Sequence, residues 1–226
     1  EAAPKGVDLV IVNEADTAML ARELPDTEVL LHVLEPVTAA MIANAPRLKL
    51  IQKIGVGVNT IDLDAAEAAG IAVTNMPGTN SRAVAEMTLT LMLSVLRRVT
   101  YLDPLTRMGG GWEPDLALMD GVGEIAGRTV GLVGFGAIPK ILAPILAAMG
   151  AEILFTARSP KHGEHGTQVD IDTLLKRSDI VSLHVPLTDE TERMIDGAAI
   201  RKMKTGAIII NTARGALIDE EALVGA

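Results

Sequence analysis

The chain has 226 residues, of which 49% are apolar, 22% are charged and only 2% are aromatic, and it contains no cysteine. This composition predicts a globular protein with an aliphatic core and excludes disulfide or thiolate chemistry within the sequence. The net charge of −9 disfavours nucleic acid and anionic membranes as partners, because like charges repel.

Short apolar runs alternate with helical stretches, a pattern typical of βαβ units and a parallel sheet. In the first third, strands are predicted at residues 8–12, 28–33, 48–54 and 71–74, and helices at residues 16–23, 38–44 and 62–69. A long helix is predicted at residues 81–98. Its apolar positions recur on more than one face, so we expect it to be buried or to lie in an interface.

The stretch Gly109–Pro114 is irregular and is a candidate domain boundary or excursion. Beyond it, further strands are predicted at residues 129–133, 152–156, 180–184 and 207–211. The pattern therefore predicts two α/β modules joined by a long helix. The opening Glu1–Pro4 has neither an initiator methionine nor a signal sequence, so we expect that the natural N-terminus is missing and that the protein is cytoplasmic.

A glycine-rich turn, Gly134-Phe-Gly136, follows the strand at residues 129–133 and opens a helix. In dinucleotide-binding turns, the first glycine makes the tight turn and the second lets the backbone approach a pyrophosphate at the helix N-terminus. Pro139 stands where a third glycine is expected, which the first helical turn tolerates, and Pro144 is expected to kink the helix. The motif alone also fits a plain strand-to-helix turn, but its context favours dinucleotide binding.

The end of the next strand carries Arg158, Ser159 and Lys161, where an acidic residue would bind a ribose 2′-hydroxyl. A 2′-phosphate needs charged donors and no nearby anion, so this segment favours NADP(H). The alternative is that these side chains are solvated loop charges.

Two further turns can hold an anion. The strand at residues 207–211 delivers Arg214 to its carboxyl end, where a guanidinium can bind a planar carboxylate; the alternative is a salt bridge to Asp219 or Glu220. The turn Gly55-Val-Gly57 exposes backbone amides, although alone it also fits an ordinary turn.

Five motifs occur in the chain in a fixed order. They are LIQKIGVGVNTID at 50–62, GIAVTNMPGTNS at 70–81 with VAE at 84–86, GFGAI at 134–138, HVPLT at 184–188 and NTARG at 211–215. Together they resemble the D-isomer-specific 2-hydroxyacid dehydrogenase family, in particular its NADP-preferring branch that reduces glyoxylate and hydroxypyruvate. The match runs from about Val29 to the C-terminus.

The resemblance implies two Rossmann/flavodoxin-like parallel-sheet domains with the active site in the cleft between them. Residues 1–81 would form an incomplete substrate domain, and residues 82–226 an NAD(P)-binding domain that is incomplete at its C-terminus. The long helix is similar to the family's hinge and dimer-forming element, so we expect a homodimer.

The resemblance also implies roles for individual residues. Arg214 would orient a 2-oxo acid and polarise its carbonyl, and the backbone of Val56 and Gly57 would bind the substrate carboxylate, with Val56 also near the nicotinamide. The implied cofactor residues are Gly134 and Gly136 in the turn, Ala137 and Ile138 at the pyrophosphate, Arg158 and Ser159 at the 2′-phosphate, Val185 and Pro186 on the adenine side, and Thr212, Ala213 and Arg214 beside the nicotinamide.

The family's paired Glu and His have no counterpart before Ala226. His184 is expected to be structural, His162 and His165 to be solvated, and His32 to be a strand residue. We therefore expect that these 226 residues alone have negligible reductase activity and leave the nucleotide-domain sheet unfinished. No metal site is expected, because the histidines lack ligand spacing.

The implied activity is hydride transfer between NADP(H), or NAD(H), and a small 2-oxo acid. Glyoxylate and hydroxypyruvate are expected first; lactate and phosphoglycerate remain open, although no basic cluster near Val56 favours a phosphorylated substrate. The alternatives are a nucleotide-sensing corepressor of the same fold and a nucleotide-binding module without chemistry.

Overall fold

The computed structural model describes residues 5–13, 15–113, 115–161 and 165–226. Contacts divide the chain into two compact units, residues 1–79 (unit 1) and 80–226 (unit 2). The division falls close to the boundary expected after residue 81. Predictions made for Glu1–Pro4, Pro114 and His162 lie outside the described residues.

Unit 1 is an α/β unit with a three-stranded parallel sheet of order β1-β2-β3. Its elements are α1 (Thr17–Glu23), a 3₁₀ turn (Leu24–Asp26), β1 (Val29–His32), α2 (Ala39–Ala43), β2 (Leu50–Lys53), α3 (Leu63–Ala68) and β3 (Ala72–Thr74). One face of the sheet packs with the helices around Ile42, Ile51 and Ala66. Val29 and Leu31, on the other face, are about half exposed.

Polar side chains fix where the helices of unit 1 begin. Asp16 and Asp62 each accept a hydrogen bond from the backbone amide three residues later, at 2.9 and 3.0 Å, and Thr38 does the same at 3.3 Å. Such caps satisfy amides that have no partner within the helix. The predicted helix at residues 38–44 is confirmed, with Thr38 as its N-cap.

The predicted strand at residues 8–12 is wrong. This segment is extended but pairs with no strand, and Leu9, Val10 and Ile11 are 51%, 44% and 82% exposed. An apolar, β-branched run has the propensity for a strand but becomes one only when its backbone groups find a ladder partner. Within the described residues, the sheet of unit 1 consists of β1, β2 and β3 alone, and residues 8–12 pair with neither of its edge strands.

Unit 2 contains a five-stranded parallel sheet of order β6-β5-β4-β7-β8. The strands are β4 (Thr129–Val133), β5 (Glu152–Phe155), β6 (Thr167–Gln168), β7 (Ile180–Leu183) and β8 (Ile208–Asn211). The helices are α4 (Ser81–Leu96), α5 (Val99–Arg107), α6 (Leu116–Met119), α7 (Ala137–Ala148), α8 (Ile171–Arg177), α9 (Gly197–Lys202) and α10 (Glu220–Val224), with a 3₁₀ turn at Gly215–Leu217. β6 was not predicted.

Helices cover both faces of this sheet. Val130 and Leu132 of β4 pack on one face with α4 and α7, whereas Val133 packs on the other face with α8 and α9. Because side chains alternate along a strand, a sheet buried on both faces requires continuous apolar strands. β4 and β7 are mostly apolar, with Thr129 and Ser182 as their polar residues, and their apolar side chains are almost fully buried.

The long helix is shorter than predicted. α4 ends at Leu96 because Arg98 adopts a left-handed conformation with φ of 53°, and a second helix, α5, begins at Val99. Arginine gives no sequence signal for this turn, unlike glycine or asparagine. Trp112, in the stretch after α5, is 99% exposed. In the described part of the chain no helix, α4 included, is both long and apolar enough to cross a membrane.

Candidate active site

The predicted site residues of unit 2 lie at one edge of its sheet. Parallel strands share a carboxyl edge, and in open α/β sheets this edge is where ligands bind. The turn after β4 carries Gly134, Gly136, Ala137 and Ile138, the loop after β5 carries Arg158 and Ser159, the loop after β7 carries Val185 and Pro186, and the loop after β8 carries Thr212, Ala213 and Arg214. The structure thus brings these residues to one edge.

The glycine-rich turn has the shape that an anion requires. Gly134 has a φ of 91°, and a Cβ there would lie 2.9 Å from the carbonyl oxygen of His184. Around Gly136, the N-cap of α7, a Cβ would meet nothing within 4 Å. Within the described ranges, the amides of Ala137 and Ile138 have no acceptor. A helix N-terminus with open space and unpaired amides fits a pyrophosphate.

The two prolines do not interrupt α7. Pro139 is the third helical residue, a position whose amide has no partner within the helix, and its ring is buried. α7 continues through Pro144 to Ala148. The strand-to-helix turn therefore keeps its form without the third glycine; the kink at Pro144 stays a prediction.

Asn211, at the end of β8, fixes the loop that carries Arg214. Its Nδ2 donates to the carbonyl oxygen of Arg214 at 2.7 Å, and its Oδ1 accepts from the amide of Ala213 at 3.0 Å. The hydroxyl of Thr212 lies 2.9 Å from that of the fully buried Thr88 on α4. The Arg214 side chain is exposed, and its Nη1 donates to the carbonyl oxygen of Ala213. The loop is thus held from both sides.

His184 is unsuited to proton transfer at neutral pH. Burial lowers the pKa of His184 to about 4, so its ring is neutral. Its Nε2 lies 2.9 Å from the hydroxyl of the buried Ser182. This environment supports a structural role for His184.

The His184 pKa leads to an expected pH dependence of stability. As pH falls from about 6.5 towards 4, the unfolded chain binds a proton at His184 that the folded chain does not, so the free energy of unfolding falls. We expect a loss of up to about 2 kcal/mol, since His184 is only partly buried as a residue. Urea unfolding at pH 7 and at pH 4.5 measures this loss of stability. The lower value is pH 4.5 because a pH of about 4 is too close to general acid unfolding. His184→Gln should lose less between the two pH values; an equal loss would contradict this assignment.

In unit 1, the turn after β2 presents two backbone amides. Asn75 Nδ2 donates to the carbonyl oxygen of Val56 at 2.7 Å, and the amide of Met76 donates to that of Gly55 at 2.9 Å. Gly55 has a φ of 148°. The amides of Val56 and Gly57 have no acceptor among the residues that the structure describes. This turn can therefore donate to a carboxylate.

His32 is the strand residue that the sequence predicted, at the end of β1, but the sequence did not indicate that His32 and Lys53 are buried beside that turn. His32 and Lys53 are neighbours in the β1–β2 register and are 5% and 7% exposed. The His32 ring bonds to the carbonyl oxygen of Glu35, and Lys53 Nζ donates to that of Val33. Burial, with the nearby Lys53 charge, lowers the pKa of His32. Both side chains brace the loop after β1, which no sequence motif indicates.

Comparisons with known proteins agree with the geometry. The family described as D-isomer specific 2-hydroxyacid dehydrogenase, NAD binding domain, matches residues 89–226. The chain is 39% identical to a glyoxylate reductase of Thermococcus litoralis over all of this chain and 67% of the relative. It is 40% identical to a hydroxypyruvate reductase of Thermotoga maritima over 90% of this chain and 66% of the relative.

Solved structures show the same fold. The crystal structure of the TT0316 protein from Thermus thermophilus matches with a TM-score of 0.85 and 38% identity, over 98% of this chain and 69% of that one. The chain spans about two thirds of the length of the curated relatives that it matches.

Proposed function

The chain belongs to the D-isomer-specific 2-hydroxyacid dehydrogenase family, and from that membership we propose that the protein reduces a small 2-oxo acid with a nicotinamide dinucleotide. The observation that carries the proposal is the open turn at Gly136, where the unpaired amides of Ala137 and Ile138 fit a pyrophosphate. The dinucleotide, when bound, supplies the hydride; the chain's own residues bind and orient.

We assign the substrate contacts to two turns. Arg214 binds the 2-oxo acid through its planar guanidinium and draws electron density from the carbonyl, which favours attack at the carbonyl carbon. The amides of Val56 and Gly57 bind the carboxylate. Of the histidines that the structure describes, none is assigned proton transfer: His184 is neutral at pH 7, His32 is buried against backbone and His165 is exposed.

Glyoxylate and hydroxypyruvate are the proposed substrates, since relatives with about 40% identity carry those names. The test follows the absorbance of reduced nicotinamide with the protein in its natural full length, NADPH or NADH, and a panel of 2-oxo acids. Oxidation that depends on both substrate and nucleotide is the expected result. Tight nucleotide binding with no turnover on any acid would contradict the proposal and would favour a nucleotide-sensing role.

The proposed cofactor preference is for NADP(H). Arg158 and Ser159 are exposed at the carboxyl edge of β5, and no acidic side chain pairs with Arg158 within the described ranges. We expect Arg158→Ala to weaken NADPH binding about 10- to 100-fold more than NADH binding, because a charge-assisted bond to the 2′-phosphate is lost. Titration calorimetry with both nucleotides measures the ratio.

The matched control is Lys176→Ala, which removes an exposed cation of α8 instead. It should leave the NADPH to NADH ratio unchanged. Equal losses for the two nucleotides in Arg158→Ala would show that Arg158 does not read the 2′-phosphate.

We also propose that the protein is a homodimer that uses α4. Met87, Leu91 and Val95 recur every four residues on this helix and are 54%, 37% and 48% exposed. An apolar stripe in water is unfavourable unless another surface covers it. Leu91→Lys should convert the dimer to monomer in sedimentation at micromolar concentration. Glu86→Lys, at an exposed position of α4 that is three or four residues from no member of the stripe, should not; a dimer that survives both substitutions would exclude this surface.

A further inference from the structure

The loop of residues 157–161, after β5, carries Arg158 and Ser159. A side chain from the neighbouring edge strand holds this loop. Gln168 Oε1 accepts from the amide of Lys161 at 2.8 Å, and its Nε2 donates to the carbonyl oxygens of Ala157 and Ser159 at 3.1 and 3.3 Å. The Gln168 side-chain amide thus bonds to both ends of the loop. Arg158 lies between Ala157 and Ser159, whose carbonyl groups accept from this amide.

The sheet fixes Gln168 independently of the loop. β6 pairs with β5 in parallel register, with Phe155 opposite Gln168, and the amide of Val169 donates to the carbonyl oxygen of Phe155 at 2.9 Å. Phe155 itself is fully buried in the core. The side-chain amide therefore extends from a strand of the sheet to a loop whose residues 158–160 are exposed.

The pattern of three bonds requires a primary amide. Gln168 offers an acceptor to one backbone N–H and two donors to two backbone carbonyls. A carboxylate of the same shape accepts from Lys161 but has no hydrogen to donate, and it faces two carbonyl oxygens with a negative charge. An apolar side chain of similar volume makes none of the three bonds.

We propose that Gln168 is a positioning residue for the selection of NADPH over NADH. This proposal rests on the proposed preference for NADP(H). By joining the ends of the loop, it holds Arg158 and Ser159 where they meet a 2′-phosphate. A guanidinium binds phosphate well only in a narrow set of orientations. If the loop must become ordered on binding, the affinity for the ligand that contacts it is lower. NADH has no 2′-phosphate and does not use these donors.

The test compares nucleotide affinities of the full chain and its variants. In Gln168→Leu, the Kd for NADPH should rise about tenfold, as expected for lost loop order, while the Kd for NADH changes less than about twofold. Gln168→Glu should have the larger effect on NADPH, because it adds a negative charge beside the loop. In an Arg158→Ala/Ser159→Ala background, Gln168→Leu should leave the ratio of the two Kd values unchanged, because both side chains that Gln168 positions are then gone.

The outcomes distinguish a failure of the proposed role of Gln168 from a failure of the proposed NADP(H) preference. If Arg158→Ala lowers the preference but Gln168→Leu and Gln168→Glu weaken both nucleotides equally, or neither, then the role of Gln168 is overturned and the proposed preference stands. If Arg158→Ala leaves the ratio unchanged, both are overturned. Thermal unfolding identifies the variants that fold; if Gln168→Leu does not, the isosteric Gln168→Glu decides.

Discussion

Arg214→Ala should lower kcat/KM for the 2-oxo acid by about 10²- to 10³-fold, the loss typical when a donor to a developing oxyanion is removed. Arg214→Lys should recover only part of it, because an ammonium keeps the charge but not the planar pair of donors. Both kcat/KM values are measured from the initial rates at which reduced nicotinamide is oxidised, with the protein in its natural full length. Asn211 bonds to the backbone carbonyl oxygen of Arg214, so removing the Arg214 side chain leaves the loop in place.

Arg201→Ala provides the matched control, since it removes an exposed arginine of α9 in the same unit. It should leave kcat/KM unchanged within about twofold, the range expected of surface substitutions. Nucleotide affinity, measured without the 2-oxo acid, should fall far less than kcat/KM in Arg214→Ala, although Arg214 also lies among the proposed cofactor residues; the difference between the two losses reports the substrate contact. A kcat/KM that is equal in Arg214→Ala and the parent protein would remove Arg214 from the site.

Gly131→Ala should destabilise unit 2 by about 3 kcal/mol, the upper part of the range for overpacking a core. Gly131 is buried in β4, at the centre of the sheet, and a Cβ there would lie 2.3 Å from the hydroxyl oxygen of Ser178 and 2.5 Å from Leu174 Cδ2. Contacts that short force the C-terminal end of α8 away from the strand. Scanning calorimetry should show a lower Tm for the unit 2 transition.

Ser178→Ala tests the same contact from the other side. The Ser178 hydroxyl is buried and has no hydrogen-bond partner among the described residues, so its removal should be neutral or slightly stabilising. The double variant Gly131→Ala/Ser178→Ala should recover part of the lost stability, because the nearest atom is gone while the contact with Leu174 Cδ2 at 2.5 Å remains. Purely additive effects of the two substitutions would show that Ser178 is not what Gly131 accommodates.

The sequence was most informative where a polar cap or a continuous apolar run coincides with an element boundary. Asp16, Thr38 and Asp62 begin helices because their side chains bond to nearby amides, so local sequence suffices to place them. β4 was predicted with its final bounds, because an apolar run buried on both faces of the sheet, residues 130–133, follows Thr129. The segment 8–12 failed for the opposite reason: strand pairing depends on residues far along the chain.

The candidate site divides in the same way. Gly134, Gly136 and Arg214 were predicted because a short sequence motif indicates their chemistry. Gln168 and Asn211 were missed, since their importance comes from bonds to backbone groups that only the folded loops bring near. β6 is only two residues long and has no periodicity to detect, so neither its strand nor its amide was predictable.

The exposure of Trp112 determines which optical signal each experiment can use. It is the only tryptophan in the sequence and is 99% exposed, so its indole is in water whether the chain is folded or unfolded. Its fluorescence is therefore insensitive to loss of either core, and unfolding has to be followed by circular dichroism or calorimetry. A surface that covers Trp112 would shift the emission to shorter wavelength, which makes this residue a selective reporter of association.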